Sequence, residues 1–280
     1  MTPINIQELK SEGRVYVSLL PEFRDGVEEA VEAWKAFCAL PNEQKCFFEY
    51  TSDAKTSGNG YELKLDPSSG DLKEDFHLRS NVSEWLMEQA QKVDPVIAPR
   101  FIQKALALNE LMAETLRSFA EAVEHEYHIP GFANDVMARQ PFWLIRFLHY
   151  FGDRQPGDIF ADPHVDKGGF TLHLYESHDG VECLTYDTKE WVPLPLAHDK
   201  TVIFAGMGLQ HRSHCDLRAL CHRVMANEDT ADTGRYSAVV FINAANNLFY
   251  DKATFGRLQN WEPGAFYDMT FAELEKYFIA

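Results

Sequence analysis

The stretch His164-Val165-Asp166-Lys167-Gly168-Gly169-Phe170-Thr171-Leu172-His173-Leu174-Tyr175 decides how this chain is read. In a strand, residues two apart share a face, so His164 and Asp166 converge on one point. A further imidazole from a neighbouring strand, His222, completes a set of two histidines and one carboxylate. Such a set holds one face of an octahedron around a metal ion and leaves the opposite positions open. His-x-Asp alone is a weak signal, because the triplet arises by chance in many chains.

Arg235-Tyr236-Ser237 strengthens it, thirteen residues after His222. On a strand Arg235 and Ser237 share a face that continues as Val239 and Phe241. A guanidinium on an otherwise apolar inward face needs an anion. A dicarboxylic acid or a substrate carboxylate would meet it fork to fork. An outward-facing arginine on a barrel strand is the plainer reading of that residue taken alone. Non-haem Fe(II) oxygenases use a two-His, one-carboxylate set whose open positions take oxygen and a chelating co-substrate.

These segments, in this order, resemble the isopenicillin N synthase-like branch of the Fe(II)/2-oxoglutarate-dependent dioxygenases, over nearly the whole chain. The family's His-Thr-Asp and following Thr-Leu strand are similar to residues 164–175. Its Gly-Leu-Gln-Val run is similar to Gly180-Val-Glu-Cys-Leu184, and its Trp-x-Pro-Val to Trp191-Val-Pro-Leu194. Its Gly-Asp-x-Leu…Ser…His-Arg-Val stretch is similar to Gly206-Met-Gly-Leu209, Ser213 and His222-Arg-Val224. Its Arg-Tyr-Ser is Arg235-Tyr-Ser237. In the N-terminal half, Phe37-Cys-Ala-Leu-Pro-Asn-Glu-Gln-Lys45, Gly60-Tyr61 and Lys73-Glu-Asp-Phe76 match as well. Two departures stand out: Val165 replaces the threonine between the ligands, and Met207 the aspartate of Gly-Asp.

The resemblance implies a mainly β fold with flanking helices, its core a double-stranded β-helix or jelly roll. It implies Fe(II) held by His164, Asp166 and His222, with no catalytic residue separate from these ligands. It also implies 2-oxoglutarate as co-substrate, held by Arg235, Ser237 and Tyr150 and decarboxylated to succinate as a C–H bond of a small molecule is hydroxylated. The tyrosine contact falls where the family's strand is replaced by Leu148-His-Tyr-Phe-Gly152, so Tyr150 and His149 compete for it. Packing of Ile145, Phe147 and Phe151 under outer helices favours Tyr150 and puts Leu148 and Arg146 on the cavity side. An oxidase of the same fold that omits 2-oxoglutarate, and holds the substrate's own carboxylate with Arg235 and Ser237, needs the same fork and stays open.

Working outward, residues 1–130 read as a mostly helical region packed on a core at 131–280. One helix is expected from a capping-box-like Asp25 and Glu28 to a stop at Pro41. A second begins near Asp94-Pro95 or Pro99 and carries the stripe Phe101, Ala105, Leu108, Met112, Leu116, Phe119 and Val123. Residues 50–71 read as a long loop. Strand signals follow at 142–151, 171–176, 181–186, 200–205, 219–226 and 235–243, with a C-terminal helix at 270–278. His211, His214, Cys215 and Cys221 have zinc-like spacing, but no second knuckle, and read as a loop. His173 and Tyr175 face either the cavity or solvent.

Of the 280 residues, 43 are acidic and 26 basic, a formal charge of −17. That excess opposes binding to nucleic acid and to anionic membranes, and the family resemblance implies a small-molecule substrate and O2 as partners. The acidic surface points mildly to a neutral or cationic one. Residues 1–10 lack the pattern of a signal peptide. With five unframed cysteines, this gives an expectation of a cytoplasmic protein with reduced thiols. Substrate identity and oligomeric state are not legible.

Overall fold

A computed structural model describes residues 4–50, 58–65, 72–243, 249–250 and 263–279. The N-terminal third runs α1 (Gln7–Glu12), β1 (Arg14–Ser18), α2 (Pro21–Cys38), α3 (Asn42–Lys45), β2 (Gly60–Lys64) and β3 (Lys73–Leu78). Four helices follow: α4 (Ser83–Val93), α5 (Ile97–Leu111), α6 (Ala113–Glu126) and α7 (Phe132–Ala138). The rest is mostly strand: β4 (Leu144–Tyr150), β5 (Ile159–His164), β6 (Phe170–Glu176), β7 (Val181–Leu184), β8 (Trp191–Pro193) and β9 (Lys200–Ala205). After α8 (Met207–Arg212) come β10 (His222–Met225) and β11 (Arg235–Ile242), then a short pair, β12 (Phe249–Tyr250) and β13 (Phe278–Ile279).

A seven-stranded sheet has the order β1-β9-β6-β11-β4-β3-β2, and a four-stranded sheet the order β5-β10-β7-β8. Every pairing in both is antiparallel. The pleat sorts side chains between two apolar layers. Ile145 and Phe147 of β4, and Ile203 and Ala205 of β9, point into a core shared with the helices. Their neighbours Leu148, Tyr150, Val202 and Phe204 point the other way, into a cluster with Phe160, Cys183 and Val224 of the smaller sheet. The helices lie on one face of the large sheet, and the small sheet covers the other.

The share of helix makes this a mixed α/β chain with two antiparallel sheets rather than a mainly β one. Residues 1–130 also supply three strands of the large sheet, β1, β2 and β3. The expected loop at 50–71 contains β2. β3 shows no clear sequence alternation of apolar and polar side chains, because three of its buried residues, Lys73, Glu74 and Asp75, are charged. The first long helix starts four residues earlier than Asp25, with Pro21 in its first turn, where a missing N–H costs nothing. Asp25 pairs with Arg24 instead. The long apolar stripe is fully buried but divided between α5 and α6, which meet at Met112. The C-terminal helix is shorter than expected: Phe271–Leu274, capped by a Thr270–Glu273 capping box, followed by a 3-10 turn over Glu275–Tyr277.

All five cysteines are free. Among the described residues, no helix is long and apolar enough to cross a membrane.

Candidate metal centre

β5 ends at His164, and β10 begins at His222 directly opposite it in the antiparallel register. Their ring centroids are 4.3 Å apart. Asp166 follows just past the end of β5, its carboxylate 3.8 Å from His164 Nε2. One donor atom from each of His164, Asp166 and His222 can be chosen so that all lie within 4.8 Å of one another. Val165, between the first two, turns away into apolar packing.

The surroundings fix how these donors present themselves. His164 Nδ1 donates to the Asp162 carbonyl at 2.7 Å, and His222 Nδ1 to the Leu220 carbonyl at 3.1 Å. A carbonyl only accepts, so each ring keeps its proton on Nδ1 and leaves Nε2 as a lone pair. Burial, with repulsion from His164, lowers the His222 pKa well below the ordinary imidazole value, which keeps it neutral. Thr171 donates to Asp166 Oδ2 at 2.5 Å and orients the carboxylate. Met207 N–H caps the Asp166 carbonyl at 2.8 Å. That approach requires Gly206, since a Cβ there would collide with the Gly168 carbonyl oxygen. Two imidazoles that present Nε2 and one carboxylate are a donor set that suits a divalent first-row metal.

The triad opens on a cavity of about 350 Å³ between the sheets, which Arg235, Ser237 and Tyr150 also line. Tyr150 packs on Phe160 there, with Arg146 and Leu148 on the same wall. His149 points to the opposite face, where its ring stacks 4.0 Å from that of Tyr236 and Nδ1 lies 2.8 Å from Glu74. Glu74 also accepts from Lys45 at 2.6 Å and Tyr61 at 2.8 Å. Burial alone would raise its carboxyl, but the hydrogen bonds from His149, Lys45 and Tyr61 hold it at about 2.

Arg235 is fully buried, but its anion is already in the protein. Its Nη2 pairs with Glu176, and its Nε donates to the His178 carbonyl at 3.0 Å. Burial of Arg235 therefore does not by itself call for an external carboxylate. A guanidinium has five N–H donors, so these two bonds do not exhaust it. Burial raises the Glu176 carboxyl above its usual value even with Arg235 against it. Ser237 Oγ donates to the Tyr175 carbonyl at 3.1 Å and lies 3.3 Å from His173 Nε2. Burial and the nearby Arg235 and His222 push His173 down to about 3, so it is neutral.

Glu176 escapes a strict reading of strand alternation, whereas Thr171 and His173, two apart, keep it. The pairing of β6 with β11 shifts register between Ala238 and Val239, so Leu174 has no partner opposite. Such a bulge lets His173 and Glu176 face the same way although they are three apart. Tyr175 turns outward beneath the Lys35 ammonium. The alternative zinc cluster is not assembled. Cys221 is buried in the inter-sheet cluster, while His211 and His214 pack on Phe271 with centroids 5.1 and 4.5 Å away.

The family model for the 2OG-Fe(II) oxygenase superfamily matches residues 142–244, which hold all three triad residues and Arg235. A 2-oxoglutarate-dependent dioxygenase, citB, of Monascus ruber is 29% identical over 139 residues, covering 48% of this chain and 41% of its own length. This chain therefore spans less than half of that relative. A 2-oxoglutarate-dependent dioxygenase of Didymella fabae is 25% identical over 256 residues, covering 79% of this chain and 72% of the relative. The crystal structure of the dioxygenase for auxin oxidation in rice has the same fold, with a TM-score of 0.68 at 20% identity over 98% of this chain and 92% of that one. Residues 142–244, the segment that carries the triad and the arginine, thus match the 2OG-Fe(II) oxygenase superfamily.

Proposed function

We propose that this chain is an Fe(II)- and 2-oxoglutarate-dependent oxygenase of a small molecule, with C–H hydroxylation as the outcome. Its core, residues 131–280, is read as a double-stranded β-helix, with residues 1–130 packed against it. The observation that carries the proposal is the convergence of His164, Asp166 and His222, both imidazoles fixed with Nε2 as lone pair. Bound there, Fe(II) and 2-oxoglutarate would supply oxygen activation coupled to decarboxylation to succinate.

The protein's own part is positioning. His164, Asp166 and His222 hold the metal, and Thr171 keeps Asp166 turned toward it. Arg235 and Ser237 take the far carboxylate of 2-oxoglutarate, with Glu176 sharing the guanidinium, and Tyr150 adds a hydroxyl from the cavity wall. Leu148, Phe204 and Val224 keep the pocket dry, which strengthens every charged contact inside it. Anaerobic calorimetry tests the assignment. 2-Oxoglutarate should bind the Fe(II)-loaded chain and fail to bind His222→Ala. Equal binding to both proteins would reject it.

A further inference from the structure

The cavity extends beyond the triad onto strands supplied by the N-terminal third. Across β2, β3, β4 and β11 the register places Lys64 opposite Lys73, Lys73 opposite Tyr150, and Tyr150 opposite Arg235. Arg146 lies on the same face of β4, four residues before Tyr150. Lys64, Lys73, Arg146 and Arg235 all open onto the one cavity, whereas the carboxylates that do so among the described residues are Asp162 and Asp166. Asp166 is committed to the triad. In a chain with 43 acidic and 26 basic residues, composition does not account for four cations in one pocket.

The contacts behind this wall fix the cations in place. Asp75, fully buried at its base, lies 2.6 Å from Arg146, 3.9 Å from Lys73 and 3.0 Å from His77. Lys64 meets Glu62 at 3.4 Å. Lys73 is only 4% exposed, so an anion entering the cavity meets its ammonium with little water between them. Charges act more strongly across such a medium than across solvent. The remaining wall here is apolar, with Leu148, Val239 and Phe241.

We propose that Lys64, Lys73 and Arg146 form the recognition site for the anionic group of the substrate, a small organic acid with an apolar body. The body lies on Leu148, Val239 and Phe241, and the acid group meets the cations. This rests on the reading of the triad as the reacting centre and of Arg235 as the co-substrate's partner. It reverses the expectation, drawn from the acidic surface, of a neutral or cationic substrate.

The test is ligand-observed NMR on the full chain loaded with Zn(II) and 2-oxoglutarate, so that no turnover occurs. The probes are phenylacetate, phenyl phosphate and phenylacetamide. The phenylacetate anion should bind roughly tenfold or more tightly than the amide. Lys64→Met and Lys73→Met should each weaken it by about tenfold, with Lys73→Arg retaining most of the affinity. A tighter fit for phenyl phosphate would support the anion site and assign it to phosphate esters. Lys64, with a side chain 31% exposed, keeps the test available if Lys73→Met does not fold. Equal binding of the amide would overturn the proposal. So would absence of binding by either anion at about 10 mM, or lysine variants that leave phenylacetate unchanged. A loss falling on 2-oxoglutarate itself would also overturn it, by giving these cations to the co-substrate. Failure of the oxygenase reading would show separately, as absence of succinate from the Fe(II) protein in air.

Discussion

The triad side chains differ in what each variant should report. His164→Ala, Asp166→Ala and His222→Ala each leave two donors of three, so turnover should vanish while circular dichroism stays native. Thr171→Val removes only the hydroxyl that turns Asp166. Partners of this kind typically cost about 10–100-fold in metal affinity, so metal titration should show a weakened site and an unchanged melting temperature. Arg235→Ala should raise the 2-oxoglutarate requirement by orders of magnitude, since truncating a buried charge pair costs roughly 2–5 kcal/mol. It also strands Glu176, so its melting temperature should fall. Arg235→Ala, Glu176→Gln removes that stranded charge. It should recover stability without recovering 2-oxoglutarate binding, as a melting curve and a titration on one sample would show. His164, Asp166 and His222 are legible in the sequence because the motif is short and its partners pair across strands. Glu176 is not, because a bulge at Leu174 breaks the alternation that sequence reasoning follows.

At the scale of the element, β4 is the clearest case. Its alternation sends Arg146, Leu148 and Tyr150 to the cavity and Ile145, Phe147 and His149 to the helices. Tyr150→Phe should weaken 2-oxoglutarate binding and leave the melting temperature nearly unchanged. His149→Phe should do the reverse, because it removes a hydrogen bond from buried Glu74. Anaerobic titration and thermal melts of the two variants separate the outcomes. This parity is readable from the sequence, since the apolar residues at 145 and 147 suit the helical side. β3 is not readable: Lys73-Glu-Asp-Phe-His-Leu78 opens on three charged residues in a row, and its strand is set by pairing with β2 and β4. The junction of α5 and α6 is hidden for a related reason. No proline or glycine marks Met112, and the apolar stripe runs on through it.

Across the whole molecule, the two faces of the large sheet hold different polar clusters. Behind it, Glu74 with Lys45, Tyr61 and His149 forms a closed network under the helices. A carboxyl held at about 2 in the fold, against about 4.3 when unfolded, contributes stability that is fully present above the unfolded value. That contribution is lost as the pH falls from there through about 2. Glu74→Gln should therefore be less stable at pH 7, yet its melting temperature should decline less steeply than wild type between about pH 4 and 2. Parallel slopes for the two proteins would contradict the buried-network account. In front of the sheet, the charges that matter open onto the cavity. The overall acidity of the chain argues against classes of partner, but it does not disclose that cationic wall, because Lys64 and Lys73 come together only when β2 and β3 join the core strands.

Under the proposed function, His164, Asp166 and His222 hold an iron that couples 2-oxoglutarate to oxygen. The direct measurement is succinate formed against 2-oxoglutarate consumed, in air, by protein reconstituted with Fe(II), with His222→Ala alongside. One succinate should form for each 2-oxoglutarate lost in the wild type, and chelation or the variant should abolish it. Oxygen uptake that proceeds at full rate with 2-oxoglutarate omitted, or succinate formed equally by His222→Ala, would contradict it.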